Sequence, residues 1–229
     1  MTYDGITSDM LFLLAENRFR DSKAYYEEHK KELQEGVVFP LRQLTADLAP
    51  TMLTIDPRLN VDPMKNGCVS RVRRDTRYTH DKLMYRENMW IAFMRDKRAW
   101  SWCLPAFYLD FSIRGAEWGL GFYSATPAIL RLIRQQAEAE PSKVIAAVEQ
   151  AQKAGFRPEG QPYAHPRSTD ATPAALKPLF DCKNINFTRT EAPDFVAGGD
   201  LPERLIAGYT ALAPIYSILI GAVEKNMLG

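Results

Sequence analysis

The sequence predicts an α+β protein in which an antiparallel sheet is covered by helices from both ends of the chain. Apolar residues recur at helical spacing through the first fifty positions and again towards the C-terminus. Between these regions, Phe107–Arg114 alternates apolar and polar residues, as expected for a half-buried strand. Helices, then a hairpin, then helices is an α+β order rather than a βαβ repeat.

The N-terminal third predicts three helices. Ser8 or Asp9 can cap the first, Asp21 can cap the second, and the third carries apolar residues until Pro50 ends it. Gly36 is expected to loosen the end of the second helix.

The central sheet is predicted to contain Cys68–Arg74, Phe107–Arg114 and Glu117–Tyr123. The last two form a hairpin whose turn is placed at Gly115-Ala116. Gly119 and Gly121 lie on the face opposite the apolar one, where missing side chains allow another group to approach the sheet closely.

The C-terminal half predicts a helix starting at Pro127 and a second over Ser142–Ala154. A loop then leads to an edge strand at Ile185–Arg189. The final helix begins at Pro202 and is expected to split or kink at Pro214, because proline cannot donate the backbone hydrogen bond. No repeat or low-complexity linker interrupts residues 1–229, so we predict a single domain.

Bulk properties predict a cytoplasmic protein. The chain has 229 residues, a net charge of +1 and three cysteines without a C-x-x-C pair, which favours reduced thiols over a disulfide framework. The longest apolar stretch, Ala211–Val223, is too short to span a bilayer, so no membrane association is predicted. The oligomeric state is left open.

The most informative segment is 71–86, which holds six Arg or Lys against two Asp. Concentrating cations that repel one another costs folding energy unless an anion or nearby carboxylates offset it. Arg71 and Arg73 should project from one face of a strand, and Thr79 should cap a helical turn that follows. Arginine forks match carboxylate and phosphate oxygens.

These residues predict a site for a small anionic ligand. The cations would hold the anion, two aspartates would position them, and Asp110 would line the same face beside Tyr108 and Tyr123. The candidate ligand-binding residues are Arg71, Arg74, Asp75, Arg77, Asp81, Lys82, Tyr85, Arg86 and Asp110.

Two other interpretations stay open. The same charges could form an internal ionic network in a non-catalytic structural or interaction domain, since ion-pair networks and active sites look alike in a sequence. Alternatively, the aromatic residues Trp90, Phe93, Trp100 and Trp102, interleaved with Arg95, Lys97 and Arg98, could stack single-stranded nucleic acid, although near-neutral charge argues against it. His80 is the candidate proton-transfer residue by type, but no motif identifies a reaction or cofactor. The histidine and cysteine spacing predicts no metal site.

The sequence resembles the bacterial family known as domain of unknown function 2461 over nearly its full length. Its most specific part is an R-x-x-R-D-T-R-[FY]-x-x-D-K-x-x-Y-[KR] pattern, with Leu83-Met84 where many relatives carry Thr-Pro. The resemblance implies that the charged cluster is a feature of the family, and it implies no particular substrate. The matching residues are Arg71, Arg74, Asp75, Thr76, Arg77, Tyr78, Asp81, Lys82, Tyr85 and Arg86, supported by Asn17, 25–30, 107–109, 119–123, Pro127, Leu130 and Arg134.

Overall fold

The computed structural model describes residues 3–64, 68–77, 80–95 and 103–228. It confirms the α+β class, with helices at both ends of the chain and a five-stranded antiparallel sheet. The strands are β1 (Asn88–Phe93), β2 (Pro105–Ser112), β3 (Gly115–Phe122), β4 (Arg157–Glu159) and β5 (Asn186–Glu191). Their order in the sheet is β1-β2-β3-β5-β4.

The helices follow apolar stripes at helical spacing. They are α1 (Ser8–Arg20), α2 (Lys23–Leu33), α3 (Phe39–Ile55), α4 (Pro127–Ala139), α5 (Pro141–Lys153), α6 (Lys177–Asp181) and α7 (Leu201–Leu228). A π-helical turn, Gln34–Val38, joins α2 directly to α3, and a Cβ atom on its Gly36 would lie 2.3 Å from the Met10 sulfur. Glycine therefore lets this turn pack against α1.

The chain divides into two compact units. The first comprises 1–93, 108–118 and 190–206, and the second comprises 94–107, 119–189 and 207–229. The N-terminal helices and the whole of the charged segment belong to the first unit. The single-domain organisation stays a prediction.

The β2–β3 hairpin is confirmed, with Phe107, Leu109 and Phe111 buried as predicted. Its turn lies at residues 113–114, two positions before the predicted Gly115-Ala116. The Ser112 hydroxyl accepts a hydrogen bond from the Arg114 backbone N–H at 3.1 Å and so closes the turn early. Gly115 starts the return strand at a φ of +146°.

The predicted strand at Cys68–Arg74 is present only as two isolated antiparallel bridges, Val69 to Ile91 and Arg73 to Tyr85. The two bridges are six residues apart between Tyr85 and Ile91, but only four residues apart between Val69 and Arg73. The two additional residues lie in 86–90 and form a bulge, which interrupts a regular ladder. The predicted alternation holds nevertheless, since Arg71 and Arg73 are exposed and Val72 is buried.

Two prolines were expected to end or break helices, and both lie inside continuous helices. After Pro50, α3 continues to Ile55, because Leu48 and Met52 on either side are fully buried. Pro214 does not split α7. Leu212 and Ile215, on either side of the proline, are buried. Packing thus outweighs the lost backbone hydrogen bond at both positions.

The glycines on β3 are approached closely by β5. A Cβ atom on Gly119 would lie 1.9 Å from the Phe187 carbonyl oxygen, and one on Gly121 would collide with Asn186. The strand predicted at 185–189 is present as β5, but its predicted edge position is wrong. β5 lies between β3 and β4, and β4 pairs with it through Arg157 and Thr188.

Candidate functional site

Asp81 is the centre of an ion-pair network. One carboxylate oxygen, Oδ2, accepts from the Arg18 Nη2 at 2.6 Å and from the Arg74 Nη1 at 2.5 Å. The other, Oδ1, accepts from the Leu83 backbone N–H at 3.0 Å. These bonds, from Arg18 first and then from Leu83 and Arg74, hold the pKa of Asp81 well below its usual range.

The same segment is docked against α1 and α2. Arg18 also donates from Nη1 to the Tyr85 carbonyl at 2.9 Å, and the Met84 N–H donates to the Asp21 carboxylate at 2.6 Å. The Tyr26 and Tyr85 rings stack with centroids 4.8 Å apart. Asp21 itself adopts a left-handed conformation, φ +43°, at the end of α1, which turns its side chain away from the helix.

Asp75 and Arg77 form a second, exposed pair. Arg77 donates from Nε and Nη2 to the two oxygens of Asp75 at 2.9 and 2.7 Å, and this bidentate contact lowers the pKa of Asp75 strongly. Lys82 donates to the Thr76 carbonyl at 3.0 Å. With 75% of the Arg77 side chain exposed, this pair is a feature of the surface.

Arg86 contrasts with these neutralised cations. Its side chain is half-buried, and its buried Nε has no hydrogen-bond partner among the residues that the structure describes. Burial lowers the pKa of Arg86, and the nearby positive charges of Arg74 and Arg71 lower it further, while Asp110 opposes the change. Within the described ranges, Arg86 makes no ion pair. Three guanidinium groups thus share one neighbourhood.

Asp110, which is electrostatically coupled to Arg86, lines a polar cavity. The Asn88 side-chain amide donates to both carboxylate oxygens, at 2.7 and 3.0 Å. Burial raises the pKa of Asp110, and the Asn88 amide opposes that rise. The cavity holds about 400 Å³ and includes Asn88, Asp110, Ser112 and Glu117 in its lining.

The structure therefore divides the predicted site residues into three sets. Arg74 and Asp81 share the network with Arg18, whereas Asp75, Arg77 and Lys82 bond to their own loop. The Tyr85 side chain is buried, so its ring stabilises the segment and faces no open surface. The third set is Arg71, Arg86 and Asp110, in which Arg86 is coupled electrostatically to the other two and also to Arg74.

The predicted helical turn after Thr79 is wrong. Residues 80–86 contain no helix, because Tyr85 bridges to Arg73 and the Arg74 N–H donates to the Met84 carbonyl at 2.7 Å. Tyr78 and Thr79 lie outside the described residues. His80 is exposed and has no distinguishing environment.

The nucleic-acid interpretation loses two of its residues. Phe93 is fully buried, and Arg95, with 2% exposure, donates to Glu224 at 2.8 Å. Neither can contact a base or a phosphate. Lys97, Arg98, Trp100 and Trp102 lie outside the described residues.

Sequence reasoning missed Arg18 and Asn88, and it noted the fully buried Asn17 only as part of the family resemblance. Both amide atoms of Asn17 lack a hydrogen-bond partner. Arg18 and Asn17 are neighbours on a helix whose polar face is ordinary. Only the family resemblance distinguished Asn17, and nothing in the sequence distinguished Arg18. Asn88 precedes an apolar strand, and only its contact with Asp110 reveals a role.

In the described part of the chain, no group of three or more His, Cys, Asp or Glu side chains could hold a metal ion. Burial raises the pKa of the Cys68 thiol to about 12, and its sulfur donates to the Asn60 carbonyl. By length and composition α7 could cross a membrane, but 56% of its most apolar window is buried inside the protein, as in a core helix. That finding alone is weak evidence for a membrane span.

The comparisons with known proteins give a family. The family model described as "Conserved hypothetical protein (DUF2461)" matches residues 9–217, and the chain belongs to this family. Neither the curated proteins nor the solved structures provide a significant match.

Proposed function

We propose that this family member binds a small anionic ligand carrying a phosphate group, held by Arg71, Arg74 and Arg86. The observation that supports the proposal is the environment of Arg86. Its guanidinium is partly removed from water beside two other guanidinium groups, and its Nε has no protein acceptor. A bound phosphate would supply the missing acceptor and offset the repulsion.

Across the described residues, nearby carboxylates supply only part of that compensation. Asp81 already accepts hydrogen bonds from Arg18 and Arg74, and Asp75 forms an ion pair with Arg77. Asp110 receives the Asn88 amide and lies beyond ion-pair distance of Arg86. The positive charge at Arg71 and Arg86 is therefore available to a ligand.

A second role, a structural lock, is favoured by the Arg18–Asp81–Arg74 network. Both arginine side chains are largely buried, at 19% and 18% exposure, and they join α1 to the segment around Asp81. This lock would fix Arg74, and with it one side of the proposed site. The two roles thus belong to different parts of one cluster.

A thermal-shift titration with inorganic phosphate, sulfate and phosphorylated metabolites tests the anion site. Saturation at about a hundredfold over Kd should raise Tm by roughly 5–10 °C. Arg86→Met keeps an apolar chain of similar reach while removing the charge, and it should lose this rise. Sodium chloride at matched ionic strength controls for screening.

Arg20→Met is the matched control, since Arg20 is an exposed arginine on α1 that pairs only locally with Glu16. It should keep the full rise. Equal rises in wild type and Arg86→Met, or no rise with any phosphate compound, would overturn the proposal.

A further inference from the structure

The cavity next to Arg86 adds chemical detail to the proposed ligand. Glu87 and Asn88, the two residues that follow Arg86 in the chain, both line the cavity, so the cavity adjoins the arginine group. Asn88 in turn donates to Asp110, which is electrostatically coupled to Arg86. A ligand held by Arg86 can therefore extend into this cavity.

The charges around the cavity exclude a second anionic group. Its lining carries three carboxylates, on Glu87, Asp110 and Glu117, against one guanidinium on Arg114, which pairs with Glu87. Asp110 and Glu117 repel each other enough to contribute to the raised pKa of Asp110. The phosphate must remain on the arginine side, and whatever fills the cavity must donate hydrogen bonds.

Donors and acceptors alternate along the cavity wall. Each Asp110 oxygen receives one hydrogen bond from Asn88 and keeps a lone pair for another donor. Ser112, two residues along the same strand face, uses its oxygen to accept from the Arg114 N–H and leaves its O–H to donate. Groups that both donate and accept at adjacent positions, as vicinal hydroxyls do, match this wall.

We infer that the ligand is a phosphorylated polyol or sugar, with its phosphate on Arg71, Arg74 and Arg86 and its hydroxyls in the cavity against Asp110 and Ser112. This inference rests on the proposed phosphate site. It adds the chemical class of the group that carries the phosphate.

Isothermal titration calorimetry should compare inorganic phosphate, glycerol 3-phosphate, glucose 6-phosphate, sorbitol 6-phosphate and O-phosphoethanolamine. We expect a phosphorylated sugar or polyol to bind at least tenfold more tightly than phosphate, because two or more additional hydrogen bonds form. Asp110→Asn should remove most of that gain. It should raise the affinity for phosphate itself, because it removes a nearby negative charge.

Glu117→Gln provides a second variant at an exposed position, where folding is not at risk, and it should reduce the gain by a smaller factor. Glu149→Gln, an exposed change on α5, is the control and should leave all affinities unchanged. If phosphate binds but no polyol phosphate binds more tightly, the inference fails and the phosphate site stands. Tighter binding of O-phosphoethanolamine than of every polyol phosphate would also overturn it. If phosphate does not bind, the proposed function fails as well.

Discussion

Asp81 and Asp110 are two carboxylates of one candidate site, and their surroundings differ in almost every respect. Asp81 is partly exposed and accepts from two arginines and a backbone N–H, so its pKa is held low. Asp110 is half-buried, accepts from the neutral amide of Asn88, and has a raised pKa because of burial. The protein thus neutralises the charges at one end of the cluster and leaves those at the other end incompletely satisfied.

This difference separates stability from binding. In the Arg18–Asp81–Arg74 network, matched charges stabilise a loop against α1 and hold Arg74 in place at the proposed site. Groups that are desolvated without full compensation, such as Arg86, lower stability, and a ligand at the proposed site would supply the missing partner. One sequence motif therefore contributes residues of both kinds.

The largest effect on Tm is expected when the Arg18–Asp81–Arg74 network is disrupted. Arg18→Ala removes bonds to the Asp81 carboxylate and the Tyr85 carbonyl and should lower Tm by about 4–10 °C. Differential scanning calorimetry measures the change, with Arg20→Ala on the same helix as control. If the Tm of Arg18→Ala lies within about 1 °C of the wild-type value, the network contributes nothing measurable to stability.

The next largest effect on Tm is expected from a change at Arg86. Arg86→Met removes a partly buried cation and its unpartnered Nε, so Tm in the absence of ligand should stay level or rise by about 1–4 °C. The same variant should lose the rise produced by phosphate. A fall as large as that of Arg18→Ala would erase the contrast between the two ends.

Asn17 sharpens the comparison, because it is a fully buried amide without a hydrogen-bond partner. Asn17→Leu has a similar volume and removes the cost of two unsatisfied polar atoms, about 1–3 kcal/mol. Chemical denaturation should therefore show a higher free energy of unfolding. A lower one would indicate that the amide is satisfied in solution.

The smallest effects are expected in the pH dependence, and the two aspartates should differ in sign. The lowered pKa of Asp81 stabilises the fold above the ordinary aspartate pKa of about 3.9, and this contribution is lost as pH falls through the lower folded-state value. The raised pKa of Asp110 destabilises the fold above that raised value, and the cost disappears as pH falls towards about 3.9.

Melting temperatures of Asp81→Asn and Asp110→Asn between pH 2 and 8 measure these contributions. At pH 7 the first variant should melt below wild type and the second above it. Both differences should shrink towards pH 2, the second at higher pH than the first. Differences of the same sign at pH 7 would contradict the assigned environments.

Local patterns predicted the parts of the molecule whose structure depends on local rules. The alternation around Phe107 specified the hairpin, because one face of a strand must be buried, and the charge density of 71–86 identified the cluster. The prediction failed at Pro50, which lies inside α3, and α7 is not split at Pro214, because packing of long apolar stripes outweighs the missing backbone donor.

The partners of the cluster could not be predicted, because they come from distant parts of the chain. Arg18 is 63 positions from Asp81, and Asn88 is 22 from Asp110. Neither pair has a spacing rule that a sequence could display. The choice between a network and a ligand site also depends on which carboxylate reaches which guanidinium, and that is decided by tertiary packing.

The bulge between Tyr85 and Ile91 makes the length of this segment as important as its composition. Side chains alternate between the two faces of an extended chain, so deleting one residue between 86 and 90 would turn Arg86 or Asn88 towards the opposite face. Deleting Met89, for example, would leave every charge in place, yet the Arg86 guanidinium and the Asn88 amide would no longer face the same side of the proposed site. Insertions and deletions here should therefore be tolerated less well than many substitutions. The number of residues in the segment sets how the arginines are placed relative to the cavity.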